Sequence, residues 1–284
     1  MARMSWQEAC HLDESLASLD AFFTLPPAYA QTLTGGLTNR CWKIVLSDQQ
    51  AYVWRPSTLI TQAFSISRVQ EYQILKAIEQ TQLGPKPIYL NSAGLLVEWI
   101  EGKALTHDLG FDSLLKSLVK VHLCSVERMP TAPFNYTARV DHYWMSLESH
   151  YKVEPYLSIY QRWRSQPNLT HVGIALCHFD LAGYNMIDTE LGHRIIDWEY
   201  AGIADPRLDL ALCIDICQEK PLEAVFRYCQ LRNIVEVDDW VDGVQAWLPR
   251  VTMMALLWYL LAHQLWGDEQ YLTQAQQLVE SFDE

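Results

Sequence analysis

The apolar pattern of this chain of 284 residues changes near residue 100, and that change restricts the possible folds more than any other feature. Before it, short β-rich runs surround one segment, 65–80, whose apolar side chains have helical spacing. Two of the runs, CWKIVL and AYVWR, predict an antiparallel hairpin. Beyond residue 100 the apolar spacing is mainly helical. The sequence therefore predicts an α+β fold of two lobes, a small β-rich lobe over 1–100 and a larger, mainly helical lobe over 101–284.

The net charge restricts the partners of the chain. Lys and Arg number 21 against 34 Asp and Glu, and the resulting charge of −13 repels nucleic-acid phosphates and anionic membrane surfaces. We therefore predict no nucleic-acid partner and no membrane partner. A small cationic molecule is mildly favoured, although many proteins are acidic for solubility alone.

Three further features bear on where the protein works. The most apolar stretch, 251–262, is too short to cross a bilayer and predicts a buried helix. The amino-terminal segment has no continuous apolar run of the kind found in a secretory signal. Seven scattered cysteines without CxxC pairs indicate reduced thiols. We expect a cytoplasmic protein.

Polar side chains follow two short apolar runs in the predicted second lobe. His178, Asp180 and Asn185 occur as HFDLAGYN, with the spacing HxDxxxxN, so that one loop can present all three. Asp180 can accept a hydroxyl proton, and Asn185 offers an uncharged oxygen to a hard cation such as Mg²⁺. Asp197, after the run RII, supplies the charged oxygen that such a cation needs. An ordinary polar loop would also fit the spacing, but Asp197 argues against it.

These segments resemble the protein-kinase-like small-molecule kinases, which include choline and ethanolamine kinases, thiamine kinases and aminoglycoside phosphotransferases. The resemblance rests on LTGGLTN, LCHFDLAGYN and IIDWEYAGIADPRLDLA. It implies the two-lobed kinase fold, with ATP and Mg²⁺ as cofactors and an alcohol as the acceptor.

The same resemblance assigns roles to the polar residues. Asp180 would be the catalytic base, and Asn185 and Asp197 the magnesium ligands. His178 would support the catalytic loop, and Asp209 would brace it.

A glycine-containing turn precedes the predicted hairpin. Gly35 and Gly36, followed by Thr38 and Asn39, allow backbone N–H groups to approach phosphate oxygens with little steric hindrance. A purely structural turn would explain the two glycines equally well, and the chain lacks the GxGxxG pattern of protein kinases.

Two more segments complete the predicted nucleotide site. Arg55 occupies the strand position where many kinases have lysine, and its guanidinium can bind phosphate and pair with Glu71 on the next helix. A solvated carboxylate is the alternative for Glu71. LVEWIEG resembles the kinase hinge, which implies that the main chain of Glu98 and Ile100 contacts adenine.

Aromatic residues beside acidic ones suggest a cationic acceptor. Such faces hold quaternary ammonium or thiazolium groups by cation–π attraction, worth about 0.5–2 kcal/mol each. We expect Glu199, Trp258 and Trp266 to contact the substrate, with core packing as the alternative for each tryptophan. The predicted function is ATP- and Mg²⁺-dependent phosphorylation of a small cationic alcohol, namely choline, ethanolamine or thiamine. An aminoglycoside phosphotransferase and a non-catalytic ATP-binding pseudokinase are the alternatives.

Overall fold

The computed structural model of the chain describes residues 3–33, 41–105, 109–127 and 129–282. The chain divides into two compact units, each made of segments that are not contiguous in sequence. The first unit comprises Met1–Leu105, Arg128–Thr131 and Asn185–Tyr200, and the second comprises Thr106–Glu127, Ala132–Tyr184 and Ala201–Glu284.

The described residues form short strands and helices of varied length. In chain order the strands are β1 (Tyr29–Thr32), β2 (Trp42–Val45), β3 (Ala51–Pro56), β4 (Pro87–Asn91), β5 (Gly94–Glu98), β6 (Lys103–Ala104), β7 (Ala175–Cys177), β8 (Met186–Thr189), β9 (Gly192–Ile195) and β10 (Gly202–Ala204). The helices are α1 (Trp6–Leu12), α2 (Leu59–Ala63), α3 (Arg68–Ile78), α4 (Phe111–His122), α5 (Tyr136–Ser146), α6 (Tyr156–Trp163), α7 (Pro206–Cys217), α8 (Pro221–Arg232), α9 (Val237–Trp266) and α10 (Glu269–Glu280).

The first unit is built on a five-stranded antiparallel sheet with the order β1-β2-β3-β5-β4. The predicted hairpin is confirmed as β2 and β3, and Trp42 pairs with Trp54 across it. Both indole rings are fully buried, and each donates a hydrogen bond to the amino-terminal segment, from Trp42 to Asp13 and from Trp54 to Ser15. The segment thus covers one face of the sheet and satisfies the two buried N–H groups.

Helix α3 confirms the helical spacing predicted for 65–80. Ser67 caps its first turn by accepting a hydrogen bond from the backbone of Gln70. Its apolar side chains at Ile74, Leu75 and Ile78 are buried, as an amphipathic helix on a sheet requires.

A smaller three-stranded sheet, ordered β6-β8-β9, also belongs to the first unit. Strands β8 and β9 form an antiparallel hairpin in which Met186 pairs with Ile195. The residue before β8 and the residues after β9 therefore lie at the same end of the hairpin. The sequence predicted only the second of these strands.

The second unit is mainly helical, as predicted, with the two-stranded sheet β7-β10. Asp205 accepts a hydrogen bond from the backbone N–H of Arg207, and Pro206 occupies the first helical position, so α7 begins with a capped turn. The apolar stretch 251–262 lies inside α9 and is largely buried there. Among the described helices, none combines the length and apolar character that a membrane span requires.

Candidate active site

The HFDLAGYN segment of the second unit forms a loop directly after β7. Asp209, buried on α7, accepts hydrogen bonds from the backbone N–H groups of His178 and Phe179, both at 2.8 Å. The Nε2 atom of His122 lies 3.0 Å from the same carboxylate. The backbone of Phe179 has a φ of 66°, a left-handed conformation that residues other than glycine rarely adopt. The carboxylate of Asp209 therefore holds the loop in a strained conformation.

This brace also brings together groups that could ligate a metal. Ligand atoms of His122, Cys177 and Asp209 lie within 4.8 Å of one another. However, Nδ1 of His122 lies 2.6 Å from the hydroxyl of Tyr228 and Nε2 lies 3.0 Å from Asp209, so both ring nitrogens already have hydrogen-bond partners. Burial also keeps the pKa of Cys177 well above its ordinary value, so the thiol stays protonated. The cluster is a hydrogen-bonded brace.

Asp180 is half-buried on this loop. His178, which is fully buried, accepts a hydrogen bond at Nδ1 from the backbone N–H of Asp180 at 3.3 Å. The hydroxyl of Tyr184 donates to Oδ1 of Asp180 at 2.6 Å. Neighbours in the same motif thus hold both the backbone of Asp180 and one oxygen of its carboxylate.

The β8–β9 hairpin of the first unit brings Asn185 and Asp197 to one place. The backbone N–H of Ile196 donates to the carbonyl of Asn185 at 2.9 Å, which extends the hairpin by one residue pair. Asp197 follows with a φ of 66°, so its backbone leaves the strand direction at once. Asn185 is buried, and the side chain of Asp197 is 28% exposed. An amide oxygen and a carboxylate at one hairpin end are the hard donors that suit Mg²⁺.

Arg55 on β3 connects Asp197 to two buried carboxylates. Its Nη2 lies 2.5 Å from Oδ1 of Asp197 and 2.9 Å from Oε2 of Glu199. Its Nε lies 2.8 Å from Oε1 of Glu71, without the alignment of a hydrogen bond. The predicted pairing of Arg55 with Glu71 is therefore present, and Glu71 is buried rather than solvated.

A second arginine completes this ion-pair network. Arg68 donates to Glu71 at 2.6 Å and to Glu199 at 3.1 Å, and all three side chains are buried. Two guanidinium groups thus face the carboxylates of Glu71, Glu199 and Asp197. Burial and the charge of Asp197 raise the pKa of Glu199, against the opposing effect of the two arginines.

The network also changes the pKa of Arg55. Burial by itself lowers it, but the charges of Glu71 and Asp197 raise it well above the ordinary value. Arg55 therefore stays cationic.

The structure describes some of the other residues that were predicted to bind the nucleotide. The backbone N–H of Glu98, at the end of β5, donates to the carbonyl of Lys86 at 2.9 Å, and its carboxylate accepts from Arg194 at 3.0 Å. Ile100 is buried two residues later. Gly35, Gly36, Thr38 and Asn39 lie outside the described residues.

An aromatic cluster occupies the end of α9 and the start of α10 in the second unit. Trp258 lies 5.4 Å from Tyr259 and 6.1 Å from Trp266, measured between ring centroids. Tyr271 lies 5.3 Å from Trp266 and 6.0 Å from Trp258. The four residues are half-buried.

The aromatic cluster is electrostatically linked to the loop that carries Asp180. Burial raises the pKa of Tyr259, and the negative charges of Asp215 and Asp180 raise it further. Asp215, on α7, has a pKa that burial also raises. The charges of these two carboxylates therefore act on the hydroxyl group of Tyr259 in the cluster.

The sequence matches the phosphotransferase enzyme family (APH) over residues 30–241. The chain belongs to this family. This match confirms the resemblance to the small-molecule kinases and the prediction that the protein is a small-molecule kinase.

Relatives of this phosphotransferase include kinases of several small alcohols. It is 24% identical over 244 residues to a thiamine kinase of Escherichia coli O9:H4 (strain HS), covering 85% of each chain. An ethanolamine kinase of Plasmodium vivax superposes with a TM-score of 0.72 at 16% identity, covering 97% of this chain and 88% of that one. The choline kinase LicA of Streptococcus pneumoniae gives 0.72 at 18% identity, covering 95% and 98%.

These neighbours confirm the predicted kinase-like fold class. LicA has also been solved in complex with AMP, and aminoglycoside phosphotransferases are among the further structural neighbours.

The structure of the phosphotransferase adds residues that the sequence interpretation missed. Arg68 was missed, although its spacing of three residues from Glu71 on one helix is a recognisable ion-pair signal. Tyr271 was missed because it lies on the helix after α9. Glu199, expected to contact the acceptor, is buried between Arg55 and Arg68.

The brace on the loop of the phosphotransferase leads to a testable prediction. In the wild-type protein the backbone N–H groups of His178 and Phe179 donate to the two carboxylate oxygens of Asp209. Asp209→Asn leaves one amide oxygen as an acceptor and places an NH₂ group against one of these donors. Because a hydrogen bond to a charged group contributes about 1.5–3 kcal/mol, we expect the free energy of unfolding to fall by about 2–3 kcal/mol. Urea unfolding measures this change.

The matched control is Asp112→Asn, which breaks an exposed ion pair with Arg227. Its effect should stay below about 1 kcal/mol. Equal stability of the two variants would contradict the bracing role of Asp209.

Proposed function

We propose that this phosphotransferase uses ATP and Mg²⁺ to phosphorylate the hydroxyl group of a small cationic alcohol, with thiamine as the first candidate and choline and ethanolamine next. The observation that carries the proposal is the loop after β7, where Asp209 holds the backbone and His178 and Tyr184 hold Asp180. This loop and the aromatic cluster belong to the same unit, which therefore contains both a base for a hydroxyl group and aromatic rings for a cation.

The aromatic cluster supports a cationic acceptor. Aromatic faces attract cations through the ring quadrupole, and nearby carboxylates strengthen the attraction. Thiamine has a thiazolium ring and a primary alcohol, and choline has a quaternary ammonium group and an alcohol. Both therefore present a cation to Trp258 and Trp266 and a hydroxyl group to Asp180. The thiamine kinase relative supports thiamine as the first choice.

The first unit would hold the nucleotide. Arg55 would bind a phosphate group of ATP, with Glu71 and Glu199 fixing its guanidinium. The carbonyl of Glu98 and the N–H of Ile100 would contact adenine, and the turn with Gly35, Gly36, Thr38 and Asn39 would contact the phosphates. The AMP complex of the structural neighbour LicA supports an adenine nucleotide.

Asn185 and Asp197 would hold Mg²⁺, because they offer hard oxygen donors at one hairpin end. Mg²⁺ bound there would neutralise charge on the phosphates and orient them.

The chemical role of the loop residues follows from their contacts. Asp180 would orient the acceptor hydroxyl and accept its proton as the oxygen attacks the γ-phosphorus of ATP. His178 would keep the backbone of Asp180 in place. Most of the acceleration in such transfers comes from positioning and charge neutralisation, which suits a site that is fixed by buried hydrogen bonds.

An acceptor panel tests the proposal. The protein is mixed with ATP, Mg²⁺ and thiamine, choline, ethanolamine or kanamycin, and ADP release and the phosphorylated product are measured. We expect transfer to thiamine above the other cationic alcohols, and loss of transfer when EDTA replaces Mg²⁺.

The other outcomes separate the alternative functions. Transfer to kanamycin alone would show an aminoglycoside phosphotransferase. Nucleotide binding without transfer to any alcohol would favour the pseudokinase.

A further inference from the structure

The hydroxyl of Tyr184 makes a hydrogen bond to one oxygen of the proposed base. It donates to Oδ1 of Asp180 at 2.6 Å, within the range of strong hydrogen bonds from hydroxyl groups to carboxylates. The residue is 51% exposed, so the ring lies at the surface of the unit and its hydroxyl points back to the loop. An acceptor alcohol would also place a hydroxyl group against this carboxylate.

A kinase of small alcohols must prevent its base from activating water. In hydrolysis, the water oxygen bonds to the γ-phosphorus, the bond from that phosphorus to the bridging oxygen breaks, and ADP leaves. The water proton passes to Asp180, and the products are ADP and phosphate. Water is far more concentrated than any acceptor, so an exposed carboxylate would waste ATP between turnovers.

A phenol is well suited to exclude water from a carboxylate. It is more acidic than water and therefore donates the stronger hydrogen bond. It is attached four residues from Asp180 on the same loop, so its effective concentration at the carboxylate is high. A bound acceptor hydroxyl, held by the rest of its binding energy, can still displace it.

We propose that Tyr184 is a gating residue of the phosphotransfer site. Its hydroxyl covers Asp180 until the acceptor binds, restrains hydrolysis of ATP by water, and then gives way to the acceptor hydroxyl. This inference rests on the proposed function of Asp180 as the base.

Tyr184→Phe tests the gate because it removes only the hydroxyl and keeps the ring. The readout is the ratio of ADP release without acceptor to ADP release with saturating acceptor. Since a hydrogen bond to a charged group is lost, we expect this ratio to rise about tenfold in the variant. The apparent KM for the acceptor should fall, because the acceptor no longer competes with the phenol.

Tyr160→Phe is the matched control. Tyr160 belongs to the same unit and donates its hydroxyl to another carboxylate, that of Asp141, at 2.8 Å. Its loss should leave the hydrolysis ratio unchanged. Thermal unfolding of both variants checks that they are folded.

The possible outcomes distinguish the gate from the proposed function. If the wild-type protein transfers phosphate to an alcohol but Tyr184→Phe leaves the ratio unchanged, the gate is wrong and the kinase function stands. If the wild-type protein transfers phosphate to no alcohol, both fail. A phosphate found on Tyr184 by mass spectrometry would also overturn the gate, because the phenol would then be an acceptor itself.

Discussion

Replacing Asp180 by Asn is expected to lower kcat for phosphate transfer by about 10²–10⁴-fold, the range that general base catalysis contributes. The amide has nearly the shape of the carboxylate but cannot take up the hydroxyl proton. The backbone contacts of the loop, from Asp209 to His178 and Phe179, do not involve the side chain of Asp180. The loop should therefore keep its conformation.

Nucleotide binding separates this prediction from a general loss of structure. The residues proposed to hold ATP lie in the first unit and do not include Asp180. Calorimetric titration with ADP and Mg²⁺ should therefore give a Kd within about threefold of the wild-type value.

Asp188→Asn is a suitable control, since Asp188 is an exposed carboxylate on β8 that faces His193. It should keep full activity. An Asp180→Asn variant that retained most of its rate would remove Asp180 from the role of base.

Much of the fold could be predicted because its signals are local. The hairpin of β2 and β3 follows from two β-rich runs around a polar turn, and α3 follows from helical spacing with Ser67 as its cap. Asp205 before Pro206 is a local signal of the same kind, because it caps the first turn of α7. In each case neighbouring residues contain the information that determines the element.

Elements that depend on distant partners were missed. Strand β8 has four residues and no clear apolar alternation, and it is a strand because β6 and β9 pair with it. Arg68 and Glu199 meet across a long stretch of sequence, so no local pattern could show that Glu199 is buried in ion pairs. The loop residues could be identified from the sequence, but neither the left-handed backbone at Phe179 nor the contact between Tyr184 and Asp180 has a local sequence signal.

Replacing Arg55 by Met is expected to lower the free energy of unfolding by about 3–5 kcal/mol, the usual effect of removing one partner of a buried ion pair. Met fills a similar volume, so the loss would come from charge. Without Arg55, Arg68 would be the one arginine among the described residues that still pairs with Glu71 and Glu199, and Asp197 would lose its ion pair with Arg55. Two of these carboxylates are buried and would lack full compensation. Urea unfolding measures the change.

A second substitution tests whether uncompensated charge is the cause. Adding Glu71→Gln to Arg55→Met removes one buried carboxylate and should restore at least ~1 kcal/mol, a coupling of the size found between contacting residues. Arg227→Met is the control for loss of an arginine, because the ion pairs of Arg227 with Asp112 and Glu223 are exposed. It should change stability by less than about 1 kcal/mol. If the double variant were less stable than Arg55→Met, packing of the arginine stem rather than its charge would stabilise this part of the first unit. In that case the ion pairs of the network would not be what holds the Arg55 guanidinium in place for a phosphate.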